Sequence, residues 1–161
     1  MNNNKLYEKY DNGLNQEIIF FNFIKNFIID KIKHMKDDKF YFADFLIMDN
    51  DDNVKMCVEL KSRWNLSKYD SLFISKNKLV KYKFNKKNNS KFNKNTKFLL
   101  IWKDMDNIDL DMFYYCLKTD IKHIDYFDDK TLLIDKKYTK YNNKHELINF
   151  IKLNLKEYHS I

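Results

Sequence analysis

Apolar residues recur at a helical spacing near the start of the chain. Within 14–36 they occupy positions 18, 21, 24, 28, 32 and 35, which lie on one face of a helix with about 3.6 residues per turn. Asn15, two residues after Gly13, is a suitable N-cap. The pattern therefore predicts a largely buried helix over 14–36.

Three segments have the pattern of strands in a sheet. Residues 39–48 (KFYFADFLIM) are aromatic and apolar, residues 54–61 (VKMCVELK) alternate between apolar and polar, and residues 97–104 (KFLLIWKD) are mostly apolar. The polar run DNDDN at 49–53 predicts a turn. The first two strands are therefore expected to pair as a hairpin.

The remaining pattern adds helices and weaker strands. Short extended patterns occupy 71–74, 111–118 and 130–137. Ser75 is expected to cap a helix over 76–84, and the segment 142–160 is amphipathic, with Asn143 and Glu146 at the spacing of a capping box. The order α-β-β-α-β, followed by strands and a helix, predicts an α/β protein with a mixed sheet.

Length and composition exclude several classes. A chain of 161 residues suits one domain over 1–161. Cys57 and Cys116 lack the spacing of a disulfide scaffold or zinc finger, and a single glycine excludes Gly-rich phosphate loops. Without an apolar run of about 18 residues or a secretory signal, we expect a soluble intracellular protein with no membrane partner.

Positive charge is concentrated in one stretch. The chain carries a net charge of +7, but its Lys and Asn surplus is typical of an AT-rich genome, so the total says little. Between Lys61 and Lys97 there are twelve basic residues and one acid, Asp70. Such a surface attracts phosphate backbones. The alternative for 85–97 (NKKNNSKFNKNTK) is a flexible, solvated basic loop.

Charged residues inside apolar elements indicate where chemistry could occur. Asp44 interrupts FYFADFLIM, and Glu59 and Lys61 lie on one face of the next strand. A hairpin turning at 49–53 would bring Asp44 near Glu59, and two such carboxylates repel unless a cation lies between them. Mg²⁺ suits oxygen ligands of this kind, and Lys61 could orient a metal-bound water.

Structural roles remain open for these residues. Two of the residues Asp44, Glu59 and Lys61 could form a partly buried structural ion pair in which the third takes no part. Glu17 shares a helix face with apolar residues, and could equally be a first-turn carboxylate favoured by the helix dipole. The four histidines have no metal-ligand spacing and are interpreted as surface or helix residues: His34, His123, His145 and His159.

Together these motifs resemble the PD-(D/E)XK nuclease superfamily over about residues 12–104. The matching features are Glu17 in an early helix, Asp44 on the first core strand, Glu59-Leu60-Lys61 on the next strand, and Ile74-Ser75-Lys76 opening a helix. Ala43 replaces the proline of the family name. The layout is most similar to archaeal-type Holliday junction resolvases and small restriction-type endonucleases.

The resemblance implies a restriction-endonuclease-like core and a DNA endonuclease, structure-specific and dimeric if it follows the resolvases. Asp44, Glu59 and the Leu60 carbonyl would hold Mg²⁺, or Mn²⁺ in its place, and Glu17 would bind a second ion or a metal-bound water. Lys61 would position the attacking water. Four residues would contact flanking phosphates: Ser62, Arg63, Lys76 and Lys78.

Two further hypotheses belong to other classes. One is a catalytically inactive nucleic-acid-binding module on the same fold. The other is an interaction protein whose Lys/Asn tract reflects genome bias alone, with weak DNA affinity that vanishes at physiological salt.

Overall fold

The computed structural model describes residues 3–38 and 41–156, with side chains from residue 13 onwards. The helices are α1 (Asn3–Ile24), α2 (Lys76–Asn88) and α3 (Lys144–Lys156). The strands are β1 (Lys31–His34), β2 (Phe45–Met48), β3 (Val54–Arg63), β4 (Ser71–Ser75), β5 (Lys97–Asp104), β6 (Met112–Leu117), β7 (Ile124–Tyr126), β8 (Thr131–Asp135) and β9 (Lys140–Asn143).

A six-stranded mixed sheet forms the centre of the fold. Its strand order is β1-β2-β3-β5-β6-β9. Only the β3–β5 pair is parallel among these neighbours, and α2 lies in the connection between those two strands, as a parallel pair requires a long crossover. A smaller antiparallel sheet has the order β4-β8-β7. The predicted α/β class with a mixed sheet is therefore confirmed.

Alternate residues of the central sheet contribute to two hydrophobic clusters, one on each face. On β3, Val58 and Leu60 pack with α1 and α3, whereas Cys57 packs with α2 and the small sheet. This alternation follows from the two-residue period of strand side chains. Glu59 and Lys61 share the parity of Cys57, and therefore project to the α2 side of the sheet.

The predicted helix over 14–36 is wrong at both ends. Helix α1 already includes Asn15 and ends at Ile24, and Lys31–His34 form an edge strand whose Ile32 pairs with Ile47. Asn15 is therefore not an N-cap, and Glu17 does not lie in a first turn. The apolar spacing continued past the helix because Ile28 is buried beside it and Ile32 packs against the same cluster from a strand.

The hairpin predicted between the first two core strands is present. Strands β2 and β3 are antiparallel, and the Asp49 carboxylate accepts hydrogen bonds from the backbone N–H groups of Asp51 and Asn53. Strand β2 begins at Phe45, later than the predicted strand over 39–48, whose residues 39 and 40 lie outside the described residues. Asp44 therefore immediately precedes a strand.

Strand β5 has its predicted bounds, but the basic segment at 85–97 differs from a simple loop. Helix α2 extends to Asn88, beyond the predicted end at residue 84, and Phe92 and Thr96 are buried. The Thr96 hydroxyl donates to the Val54 carbonyl at 2.8 Å. Ser75 is the N-cap residue of α2, although its side chain makes no capping hydrogen bond.

The predicted strand patterns at 111–118 and 130–137 correspond to β6 and β8. The helix predicted over 142–160 is present as α3, which begins at Lys144. Its predicted residues 157–160, with His159, lie outside the described residues. The Asn143 side chain accepts a hydrogen bond from the Glu146 N–H at 3.1 Å, half of the predicted capping box. The short strands β7 and β9 were not predicted. Cys57 and Cys116 are buried free thiols. Among the described residues, no helix combines the length and apolar character needed to cross a membrane.

Candidate active site

Asp44 takes the place of a strand residue at the start of β2. Its N–H donates to the Val58 carbonyl at 2.9 Å, continuing the β2–β3 ladder, and its Oδ2 accepts the Leu60 N–H at 2.8 Å. The N–H and C=O of one strand residue point to the same side of the strand. The Leu60 carbonyl therefore also faces the side on which the Asp44 carboxylate lies.

Glu59 lies opposite Asp44 and is almost fully buried, with 1% of its surface exposed. Its Oε1 contacts two ammonium groups, Lys61 Nζ at 2.9 Å and Lys78 Nζ at 2.7 Å. Its Oε2 is buried and has no hydrogen-bond partner among the described residues. An unpartnered buried carboxylate oxygen is costly, so Oε2 is the atom of Glu59 that a cation would stabilise most.

Glu17 of α1 reaches the same end of the sheet from the other side. Its carboxyl group hydrogen-bonds that of Asp44, and its Oε2 lies 3.1 Å from His34 Nε2. The His34 ring packs between Phe21 and Phe45, at centroid distances of 5.5 and 4.9 Å. Glu17 is thereby held between a strand histidine and the Asp44 carboxyl group.

All three acids have raised pKa values. Burial raises the pKa of Asp44 to about 6, helped by the Glu17 charge and opposed by the Leu60 N–H. Burial also raises the pKa of Glu59; the Asp44 charge raises it further, and Lys61 and Lys78 oppose the rise. Burial raises the pKa of Glu17 as well, although the hydrogen bond with Asp44 opposes this rise. The three acids repel one another in the ionised state.

The basic partners respond to the same environment. Burial alone would lower the pKa of Lys61, but the contacts with Glu59 and the Asp44 charge outweigh it and raise that pKa. Burial lowers the pKa of His34 below its ordinary value, so the ring is neutral near pH 7. A neutral ring donates a hydrogen bond to an ionised Glu17 only in the tautomer that carries its proton on Nε2.

The carboxylate and carbonyl oxygens here suit a hard divalent cation, but few side chains are placed to bind the same ion. Carboxylate and carbonyl oxygens are the ligands that Mg²⁺ prefers. However, no three His, Cys, Asp or Glu side chains in the described part of the chain are grouped so that they could hold one ion. The residues therefore fit a site of two carboxylates, Asp44 and Glu59, completed by the Leu60 carbonyl and water.

The four predicted phosphate contacts do not form one group. Ser62 and Arg63 lie at the end of β3, where the Arg63 guanidinium donates to the Ser62 carbonyl. Lys76 opens α2, with its Nζ 5.2 Å from the centre of the Tyr126 ring. Lys78 instead contacts Glu59, one of the three carboxyl groups, Glu17, Asp44 and Glu59, that we call the acid cluster.

The sequence did not predict the contacts that His34 and Lys78 make with the acid cluster. His34 was interpreted as a surface or helix residue, yet it lies on β1 with its side chain 7% exposed and contacts Glu17. The alternation of KIKH at 31–34 was the signal that could have indicated this strand. Lys78 carried no sequence signal for its ion pair, because only the packing of α2 on the sheet brings it to Glu59.

Comparison of the chain with protein-family models, with curated proteins and with solved structures finds no match. The resemblance to the nuclease superfamily therefore depends on the residues and their arrangement.

Proposed function

We propose that the protein is a metal-dependent endonuclease that hydrolyses DNA phosphodiester bonds, on a restriction-endonuclease-like core. The observation that carries the proposal is the meeting of Glu17, Asp44 and Glu59 with a lysine at one end of the central sheet. These residues come from three separate elements, and their order along the chain is the order of the family motifs.

Asp44, Glu59 and the Leu60 carbonyl would hold Mg²⁺ or Mn²⁺, and the ion would supply charge stabilisation at the scissile phosphate. The unpartnered Oε2 of Glu59 and the raised pKa values of the acids support this assignment, since a cation would relieve both. Lys61 would orient the attacking water. Glu17, fixed by His34, would accept a hydrogen bond from water on the opposite side of the site.

The second candidate is a DNA-binding module without catalysis. It is favoured by the double ion pair of Glu59 with Lys61 and Lys78, which neutralises the most buried acid without any metal. In that case the acids and lysines would stabilise the sheet end, while the basic surface bound phosphate groups.

The deciding experiment measures cleavage of labelled four-way junction, flap and plain duplex DNA, with Mg²⁺, Mn²⁺ or EDTA. We expect metal-dependent cleavage that Glu59→Ala abolishes while DNA binding persists. Glu146→Ala is the matched control, because Glu146 is exposed on α3, across the sheet from α2. Cleavage that survives Glu59→Ala would refute the site, and no cleavage with either metal would favour the binding module.

A further inference from the structure

A groove lies between α2 and β7, on the far side of α2 from Glu59. Its cavity is about 150 Å³ in volume. Pockets that enclose a drug-sized molecule measure roughly 300–1,000 Å³, so this one suits a single ring system. The residues that line it are Lys76, Leu79, Val80 and Lys83 of α2, Lys118 after β6, Ile124 and Tyr126 of β7, and Leu132 of β8.

The charge of the groove is entirely positive. Three lysines line it and no acid does: Lys76, Lys83 and Lys118. Neither Lys83 nor Lys118 has an ion pair or side-chain hydrogen bond with any residue that the structure describes. Burial lowers the pKa of Lys118, and the charges of Lys83 and Lys86 lower it further. An anion bound among these lysines would relieve their mutual repulsion.

The acid of β7 faces away from the groove. Asp125 pairs in register with Leu133, and therefore projects to the opposite face from its neighbours Ile124 and Tyr126. There its Oδ1 lies 2.8 Å from His123 Nε2. The cationic character of the groove is thus not cancelled by the nearest carboxylate in the strand.

The floor of the groove is apolar and aromatic. Val80 is 52% exposed and Tyr126 66% exposed, and the Lys76 ammonium group lies over the Tyr126 ring. An exposed aromatic ring among lysines is the arrangement that stacks unpaired bases while cations contact the backbone. A base in duplex DNA has both faces covered by its neighbours, so only an unpaired base could use this floor.

We propose that this groove binds unpaired DNA, with a base on Tyr126 and its flanking phosphates on Lys76, Lys83 and Lys118. The proposal deepens the proposed function, on which it rests, by naming single-stranded DNA as the form that the protein holds. Lys76 and Lys78 are two residues apart at the start of α2 and therefore lie on different faces of the helix: Lys76 lines the groove, whereas Lys78 contacts Glu59. The groove is thus a binding surface separated from Glu59 by α2.

The test measures binding in EDTA, without any requirement for cleavage. Fluorescence anisotropy would compare a labelled oligothymidine, the matching duplex and an oligouridine for four proteins: wild type, Lys83→Glu/Lys118→Glu, Tyr126→Ala and Lys152→Glu/Lys156→Glu. Lys152 and Lys156 are exposed on α3, on the other face of the central sheet, so this variant is the control that reverses the same number of charges. Circular dichroism would verify folding of these surface variants.

We expect the Lys83→Glu/Lys118→Glu variant to weaken single-strand binding by at least 10-fold and Tyr126→Ala by roughly 5- to 160-fold, with little effect of Lys152→Glu/Lys156→Glu. Replacing Lys118 alone by Ala would reduce the log–log salt slope by about 0.7. Unchanged single-strand affinity in the Lys83→Glu/Lys118→Glu variant would overturn the proposal, as would equal affinity for duplex or tighter binding of RNA. If the wild-type protein cleaves no DNA but its single-strand binding still depends on the groove residues, only the proposed nuclease function is refuted.

Discussion

Glu59 is a buried acid whose Oε1 is shared by two lysines from different elements, and these lysines should differ in function. Lys61 lies on β3 beside Asp44, whereas Lys78 comes from α2. We expect Lys61→Met to lower the single-turnover cleavage rate by about 10²- to 10³-fold, the usual cost of removing one positioned hydrogen-bond donor. Lys78→Met should lower it much less, because Lys61 still neutralises Glu59.

Lys55→Met is the control for this comparison, since Lys55 also lies on β3 and pairs with Asp30 at 2.9 Å, away from the cluster. Rates would be measured at saturating DNA, so that binding differences do not enter. Equal losses in the Lys61 and Lys78 variants would contradict a specific role for Lys61 and would indicate that neutralising Glu59 is what matters.

Asp44 should make the metal-free protein less stable as the pH rises. Its pKa is about 6 in the folded protein against an ordinary 3.8, so the folded state binds more protons between these values. The free energy of unfolding therefore falls as pH rises through about 4 to 6, by about 2 kcal/mol between pH 4.5 and 7. Urea unfolding in EDTA at both pH values would measure it, and Asp44→Asn should remove this part of the decrease.

At the residue scale, the sequence could predict the acids but not all of their contacts. Asp44 and Glu59 interrupt apolar strands, so burial of their charge was visible in the pattern. His34 was missed because its four-residue strand follows a helix with the same apolar spacing. The Glu17–Asp44 contact depends on how α1 crosses the sheet, which no local pattern contains.

The start of α3 offers a prediction at the element scale. The Asn143 side chain accepts the Glu146 N–H, one of the donors that a helix end leaves free. Asn143→Ala should lower the free energy of unfolding by about 1 kcal/mol. Asn149→Ala, at an exposed position inside the same helix, should be neutral or slightly stabilising. Urea unfolding measures both, and an equal loss in the two variants would contradict the capping role.

Whether an element could be predicted depended on its length and its burial. Strand β5, buried along most of its eight residues, was predicted with its bounds. Strand β9 has four exposed residues and β7 only three residues, so both are specified by pairing with longer neighbours. The helix predicted past Ile24 fails for a related reason: apolar residues of a turn and an edge strand happened to continue the helical spacing.

At the scale of the whole molecule, basic charge is concentrated on one side of the central sheet. An apolar cluster closes each face, but only one face carries α2, with its six lysines and no acid. Glu59 and its lysines face that basic side, and Glu17 reaches them around the sheet end. The segregation of charge seen along the sequence is therefore also a segregation between faces, which a linear pattern alone cannot establish.

Binding of a divalent cation should stabilise the entire fold, because it would relieve three acids that burial and mutual repulsion hold at raised pKa. At a Mg²⁺ concentration ten times its Kd, the gain is about 1.4 kcal/mol, which raises Tm by roughly 3–6 °C for a chain of this size. Calorimetry at pH 7 and constant ionic strength would measure the shift, with Mn²⁺ as a second ion. Asp44→Asn should abolish the shift, whereas Asp125→Asn should retain it, since Asp125 is exposed on β7. An equal shift in both variants would place the ion elsewhere, and no shift in the wild type up to tens of millimolar Mg²⁺ would favour a metal-free binding module.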